Sequence, residues 1–217
     1  MSRRMGKHYT DAQTDRPSQG RFTMRVVCQL GLAALLLGTL AVASGRAEDK
    51  EGVKVGDKAP AFEATDDQGK TWKSSDHVGK KVVVVYFYPA DFTGGCTRQA
   101  CAFRDNAKAL TDKGIEVVGV SGDSAKNHEL FKKHHKLEFT LLADEDGAIA
   151  KKFGVPAGKG GEVTVKELEN LKIKRGVTIQ RWTVIIDKDG KVIHKEAVKA
   201  PDQDPKTVLE VIEKAGK

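Results

Sequence analysis

The hydrophobic rhythm of the chain changes several times, and each change marks an element. Residues 82–88, Val-Val-Val-Val-Tyr-Phe-Tyr, are apolar without alternation, as suits a central strand covered on both faces. Residues 97–113 switch to a helical period, with Ala100, Phe103, Ala107 and Leu110 on one face and Gly114 as the stop. A strand over 115–121, a helix over about 124–135, a strand over 139–143 and a short helix over 147–153 follow. Upstream, 53–64 and 70–73 flank Asp66-Asp67-Gln68-Gly69 and predict a hairpin. Downstream, a strand over 177–186 turns at Asp187-Lys188-Asp189-Gly190 into 191–195. Residues 204–215 close the chain as a helix with Pro205 in its first turn. Between 155 and 176 the pattern weakens: Gly158, Gly160 and Gly161 suggest a loop, and 166–171 a turn of helix. This order predicts an α/β sandwich of three layers, a mixed sheet with flanking helices.

The first 47 residues have a different character. Residues 26–43 are largely apolar, follow Arg21 and Arg25, and lead into the small-residue sequences Ala41-Val42-Ala43 and Gly45-Arg46-Ala47. That pattern reads as a secretory signal peptide or, uncleaved, as an N-terminal membrane anchor, with Met24 as an alternative start. The domain is then 48–217, exported and extracytoplasmic, periplasmic in a bacterium. The whole chain carries a net charge of +7, but residues 48–217 hold 30 Lys/Arg against 28 Asp/Glu. No basic stripe interleaved with aromatics appears, so no nucleic acid is expected as a partner.

Cysteine usage is more informative. Of three cysteines, Cys28 lies in the leader, which leaves Cys96 and Cys101. Cys96 follows a short polar loop after the central strand and stands where a helix should begin. A helix N-terminus presents unpaired N–H groups and a partial positive charge, both of which stabilise an anion. A plain structural disulfide is the competing reading for an exported domain. In a continuous helix, however, residues five apart have Cα atoms about 8.6 Å apart, and a disulfide tolerates at most about 7 Å. The pair therefore cannot close without unwinding its own helix. That suits a switch better than a staple.

Pro89, Thr93 and Cys96 match the pattern Pro-x-x-x-Thr/Ser-x-x-Cys, and the chain resembles the peroxiredoxins on this ground. The run Cys96-Thr97-Arg98-Gln99-Ala100-Cys101-Ala102-Phe103-Arg104-Asp105 is similar to the peroxiredoxin Q (bacterioferritin comigratory protein) subfamily, from about Lys54 onward. The resemblance implies a thioredoxin-like fold and a thiol-dependent reduction of hydrogen peroxide and organic hydroperoxides, without metal or cofactor. It implies Cys96 as the peroxidatic and Cys101 as the resolving cysteine, joined in an intramolecular disulfide that a thioredoxin-like dithiol protein reduces. Thr93 would donate to and orient the peroxide, Pro89 would shield the thiolate, and Arg181 would be the family's arginine. The expected assembly is a monomer or weak dimer. One departure stands out: the subfamily's usual proline before Gly-Cys is Gly94 here, which should loosen the loop.

Ionisation alone accelerates such chemistry little. For any thiol, lowering the pKa from ~8.5 to about 6 raises the thiolate fraction near 30-fold at pH 7. The lower basicity costs about 13-fold in nucleophilicity. Most of the rate must come from groups that hold the peroxide and stabilise the breaking O–O bond.

Other candidates have plainer readings. His134-His135 ends a helix, where cations favour the dipole. His77, His128 and His194 show no ligand spacing, and Trp72 and Trp182 are packing residues. A thioredoxin-like reductase requires Cys-x-x-Cys and a copper-delivery module Cys-x-x-x-Cys with soft ligands. Neither spacing is present, and all three methionines lie in the leader.

Overall fold

Every residue from Val82 to Phe87 is buried, and the architecture is built outward from that strand. A computed structural model describes residues 52–216; the leader, its boundary with the domain and the apolar stretch 26–43 lie outside the described residues. In chain order the elements are β1 (Glu63–Asp66), β2 (Thr71–Lys73), β3 (Val82–Phe87), α1 (Gly94–Asp105), α2 (Ala107–Asp112), β4 (Ile115–Ser121) and α3 (Ala125–His135). There follow β5 (Thr140–Ala143), α4 (Ala148–Phe153), β6 (Ala157–Val165), β7 (Leu171–Ile179), β8 (Trp182–Ile186), β9 (Val192–Ala197) and α5 (Asp204–Lys214).

Seven strands form one sheet in the order β2-β1-β5-β4-β3-β8-β9. β3 pairs parallel with β4 and antiparallel with β8, and β4 pairs parallel with β5. Strand alternation sends β3 side chains to both faces. Val82, Val84, Tyr86 and Tyr88 join Phe103 of α1, Phe131 of α3 and Ile212 of α5 in one core. Val83, Val85 and Phe87 join Trp72, Ile149 and Phe153 in the other, under α4. Each such buried side chain contributes roughly 1.5–3 kcal/mol. The expected mixed sheet between helical layers is thus observed. No helix among the described residues is long and apolar enough to cross a membrane.

Three elements differ from their expected form. The helix predicted over 97–113 begins earlier, at Gly94, and breaks at Asn106 into α1 and α2. There the Asn106 amide donates to the Ala102 carbonyl at 2.9 Å, a side-chain bond that competes with the helical ladder. The segment expected to be a loop is the long hairpin β6–β7, registered from Ala157↔Ile179 to Val165↔Leu171 around a 3-10 turn at Lys166–Leu168. Gly160 serves close packing there: a Cβ would lie 2.3 Å from the carbonyl oxygens of Arg175 and Gly176. Finally, the strand expected over 177–186 is two strands in two sheets, since Ile179 pairs with Ala157 and Trp182 with Phe87. The break falls at Gln180–Arg181, which frees Arg181 from any strand.

Candidate active site

The β3–α1 connection descends from the buried end of the central strand to a helix start, and the candidate chemistry gathers there. Thr93 is the N-cap of α1, extended at φ −88° and ψ 141°, so Cys96 lies in the first helical turn. Its side chain is buried at 1% exposure and forms part of the core with Tyr86, Ala100 and Phe103. It is not isolated in that apolar surrounding. Arg181 Nη2 lies 3.1 Å from Cys96 Sγ. A guanidinium and a helix N-terminus therefore face the same sulfur, each bringing positive charge and N–H donors to it. Cys101, five residues further along the unbroken α1, is half-buried, and both cysteines are free thiols.

The other expected site residues are also brought to this corner. Thr93 Oγ1 donates to the Ala90 carbonyl at 2.9 Å, so its proton is committed within the loop. Its lone pairs are what the hydroxyl offers to the space beside Cys96. Pro89 is partly buried at the start of the same loop.

Two residues that carry Arg181 were not picked out in the sequence. Gln99 is fully buried, accepts from Arg181 Nη1, and donates through Nε2 to Asp204 Oδ2 at 2.7 Å. Asp204, in the first turn of α5, also accepts from Thr183 Oγ1 at 2.7 Å. Burial pushes the Asp204 carboxyl up, and the Thr183 and Gln99 donors oppose that. The guanidinium is thus aimed by a chain of bonds running from α1 through α5 to β8. Gln99 follows Cys96 by three positions, a spacing that puts both on one helix face; that was the available signal. Gly95 leaves the room needed, since a Cβ there would stand 3.2 Å from Arg181 Nη2.

The histidine pair at the end of α3 corrects another expectation. Burial, followed by the neighbouring His134 and Arg104, pushes the His135 pKa down, which disfavours the cation expected at the helix end. Instead His134 and His135 pack their rings around Phe92, with centroids 5.7 and 5.6 Å away. An open cleft of about 850 Å³ lies elsewhere, lined by lysines of α3 and by neither cysteine.

Gly94 is the first residue of α1, and a Cβ there would meet only the end of Arg98 at 3.8 Å. The first helical position does not need its N–H for the helix, and the extended Thr93 is the conformation a following proline requires. Gly94→Pro is therefore expected to stabilise the protein by about 0.5–1 kcal/mol, mainly through the unfolded chain. It should also slow any process that unwinds the start of α1. Denaturation midpoints and the rate of disulfide formation after a peroxide pulse measure the two effects.

Comparison with known proteins agrees with this geometry. Residues 55–195 match the model of the AhpC/TSA family. A chloroplastic peroxiredoxin Q of Populus jackii is 48% identical over 125 residues, covering 58% of this chain and 58% of that protein. The chain thus spans little more than half the length of this plant relative. A putative peroxiredoxin bcp of Coxiella burnetii is 41% identical over 138 residues, covering 64% of this chain and 84% of that one. The crystal structure of peroxidoxin BcpB from Mycobacterium tuberculosis superposes with a TM-score of 0.62 at 30% identity, covering 74% of this chain and 97% of that chain. With its sulfur at the head of α1, its thioredoxin-like sheet and these likenesses, the chain belongs to the AhpC/TSA family, on the peroxiredoxin Q side of it.

Proposed function

We propose that the protein is a thiol-dependent peroxidase that reduces hydrogen peroxide and organic hydroperoxides at Cys96, with Cys101 as resolving thiol and a thioredoxin-like dithiol protein as reductant. The observation that carries this reading is the 3.1 Å approach of the Arg181 guanidinium to Cys96 Sγ at a helix N-terminus. N–H donors beside the sulfur support the reading, because the charge that moves onto a departing peroxide oxygen needs such donors.

In the first step the thiolate attacks the terminal oxygen of the hydroperoxide. The S–O bond forms as the O–O bond breaks, the electron pair leaves on the other oxygen, and a proton converts that oxygen to water or alcohol. Arg181 and the first amides of α1 stabilise the charge moving onto the leaving oxygen, and Thr93 Oγ1 accepts from the peroxide O–H. In the second step the Cys101 thiol displaces hydroxide from the Cys96 sulfenic acid, releasing water and forming the disulfide. This step needs α1 to unwind, since an intact helix keeps residues five apart beyond the ~7 Å that a disulfide spans. Arg104, in the last turn of α1, is tied to the His135 carbonyl at 2.7 Å. The first turns are tied through Cys96 and Gln99 to Arg181 and Asp204, so the unwinding has to break bonds of this network. In the third step an external dithiol takes over the disulfide, and the cycle balances on thiols alone.

The test is hydroperoxide-dependent oxidation of reduced thioredoxin by the purified protein. Turnover is expected for the native sequence. In Cys101→Ser a sulfenic acid should accumulate at Cys96, trappable by dimedone, while steady thioredoxin oxidation falls at least about 10-fold. Absence of any peroxide consumption by the native protein sinks the reading. Export belongs to the same proposal and rests on the apolar run after Arg25; N-terminal sequencing of the mature protein checks it.

A further inference from the structure

Beneath the β3–α1 loop lies a second group of ionisable residues that the reaction as written never touches. Asp91 and His128 are both fully buried, with Asp91 Oδ2 2.9 Å from His128 Nδ1. Asp91 Oδ1 accepts from the Tyr88 hydroxyl at 2.8 Å. On the other side of the imidazole, Nε2 lies 3.2 Å from the Leu142 carbonyl, which can only accept. Nε2 therefore carries a proton. Nδ1 faces Asp91 Oδ2, while Asp91 Oδ1 accepts from the Tyr88 hydroxyl, so one proton lies between Nδ1 and Oδ2 and closes the pair. Every polar atom of the pair then has a partner.

The groups facing His128 agree. Burial opposes its charge, but Asp91, Asp123 and the Leu142 carbonyl outweigh burial and raise its pKa. Tyr88 and Asp91 face it from the β3–α1 segment and Asp123 from the end of β4, while β5 offers only the Leu142 carbonyl. Burial, then Asp91, pushes Asp123 up to about 6. Burial and the same carboxylate keep Tyr88 a hydroxyl donor at any working pH.

All of these bonds end on one short piece of backbone. The Asp91 side chain is held by His128 and Tyr88, and its N–H donates to Asp123 Oδ2 at 2.9 Å. The next residue, Phe92, has φ 57°, a left-handed conformation that costs a non-glycine residue free energy and persists only where the surroundings impose it. Its ring is pressed on Phe131 of α3 at 5.1 Å between centroids. The residue after that is Thr93.

We propose that the Asp91–His128 pair is a positioning device for the peroxide site. It clamps the 91–93 backbone to α3, so that Thr93 Oγ1 and the opening amides of α1 converge on the oxygen that Cys96 attacks. The inference rests on the peroxidase reading above and adds to it two positioning residues outside the reacting shell.

The test compares two reagents at one sulfur. Hydrogen peroxide needs the oxygen site, whereas iodoacetamide needs only the thiolate. Rates of Cys96 modification are followed by peptide mass, Arg98 separating the two cysteines on tryptic cleavage. In His128→Asn the peroxide rate should fall roughly 30-fold or more, as displacement of positioned groups by about an ångström does. The iodoacetamide rate should change less than about 3-fold. Tyr88→Phe keeps the ring in the core and removes one hydrogen bond to Asp91, so its peroxide rate should fall roughly 3- to 10-fold with the same split. Near-UV circular dichroism identifies folded variants. If His128→Asn does not fold, Tyr88→Phe decides alone. Equal losses for both reagents, or no loss of peroxide rate in a folded variant, overturn the positioning role. Failure of the peroxidase reading has a different signature, namely a native protein whose Cys96 takes up iodoacetamide but does not react with peroxide, and it removes both proposals together.

Discussion

Cys96→Ser is expected to lower peroxide consumption by roughly three orders of magnitude or more, while the fold is kept. Serine differs by one atom, enters the same helical turn, and retains the Arg181 guanidinium beside it. What it lacks is a readily formed anion and a soft sulfur able to accept oxygen. The Cys101 thiol is no substitute, since it stands five residues along α1 and away from Arg181, whose amino groups bond Cys96 and Gln99. Peroxide loss followed by a colorimetric assay, beside thermal unfolding of the same preparation, makes the measurement. Turnover within 10-fold of the native rate would move the chemistry to another residue.

Arg181→Met should be the next most damaging change, with the peroxide rate down about 10²- to 10³-fold, as on loss of an oxyanion donor, or about 2.7–4 kcal/mol of transition-state stabilisation. The guanidinium bonds the sulfur through one amino group and Gln99 through the other. Removing it takes away a cation beside the thiol and leaves the buried Gln99 oxygen without its donor. Arg181→Lys restores the charge without the planar fork, so it is expected to recover less than about 10-fold of the loss. Stopped-flow rates for Cys96 oxidation in the two variants test this. A lysine variant close to the native rate would mean that charge alone suffices, and that the geometry drawn through Gln99 and Asp204 is dispensable.

Much of this site was legible before any coordinates, because its signal is local. The buried strand, the loop and the cysteine at a helix start lie within one short run. β4 coincides with its expected bounds at Ile115–Ser121, and α3 starts after Ser124, whose hydroxyl accepts from Asn127 N–H. Long-range pairing left no such mark. A strand-like stretch from 177 to 186 cannot show that hydrogen-bond partners change at Gln180, so the release of Arg181 between two sheets was hidden. The glycines at 158, 160 and 161 read as loop because close backbone approach and turn formation both favour glycine. Asp91 sits in a short polar loop and His128 is one of several scattered histidines; only folding brings them to 2.9 Å. Buried polar pairs between distant segments obey no periodicity, and so the positioning groups escaped where the attacking sulfur did not.

Gln99 lies between the two cysteines on α1, and this has a kinetic corollary. Closing the disulfide draws open the very turns that hold the arginine through Gln99. On the proposed cycle the oxidised protein therefore lacks an assembled peroxide site as well as a free sulfur. Oxidant and reductant then meet two differently shaped forms of one enzyme and take turns without competing. Raising the oxidant cannot crowd out the electron donor, and double-reciprocal plots should run parallel, as ping-pong kinetics demand.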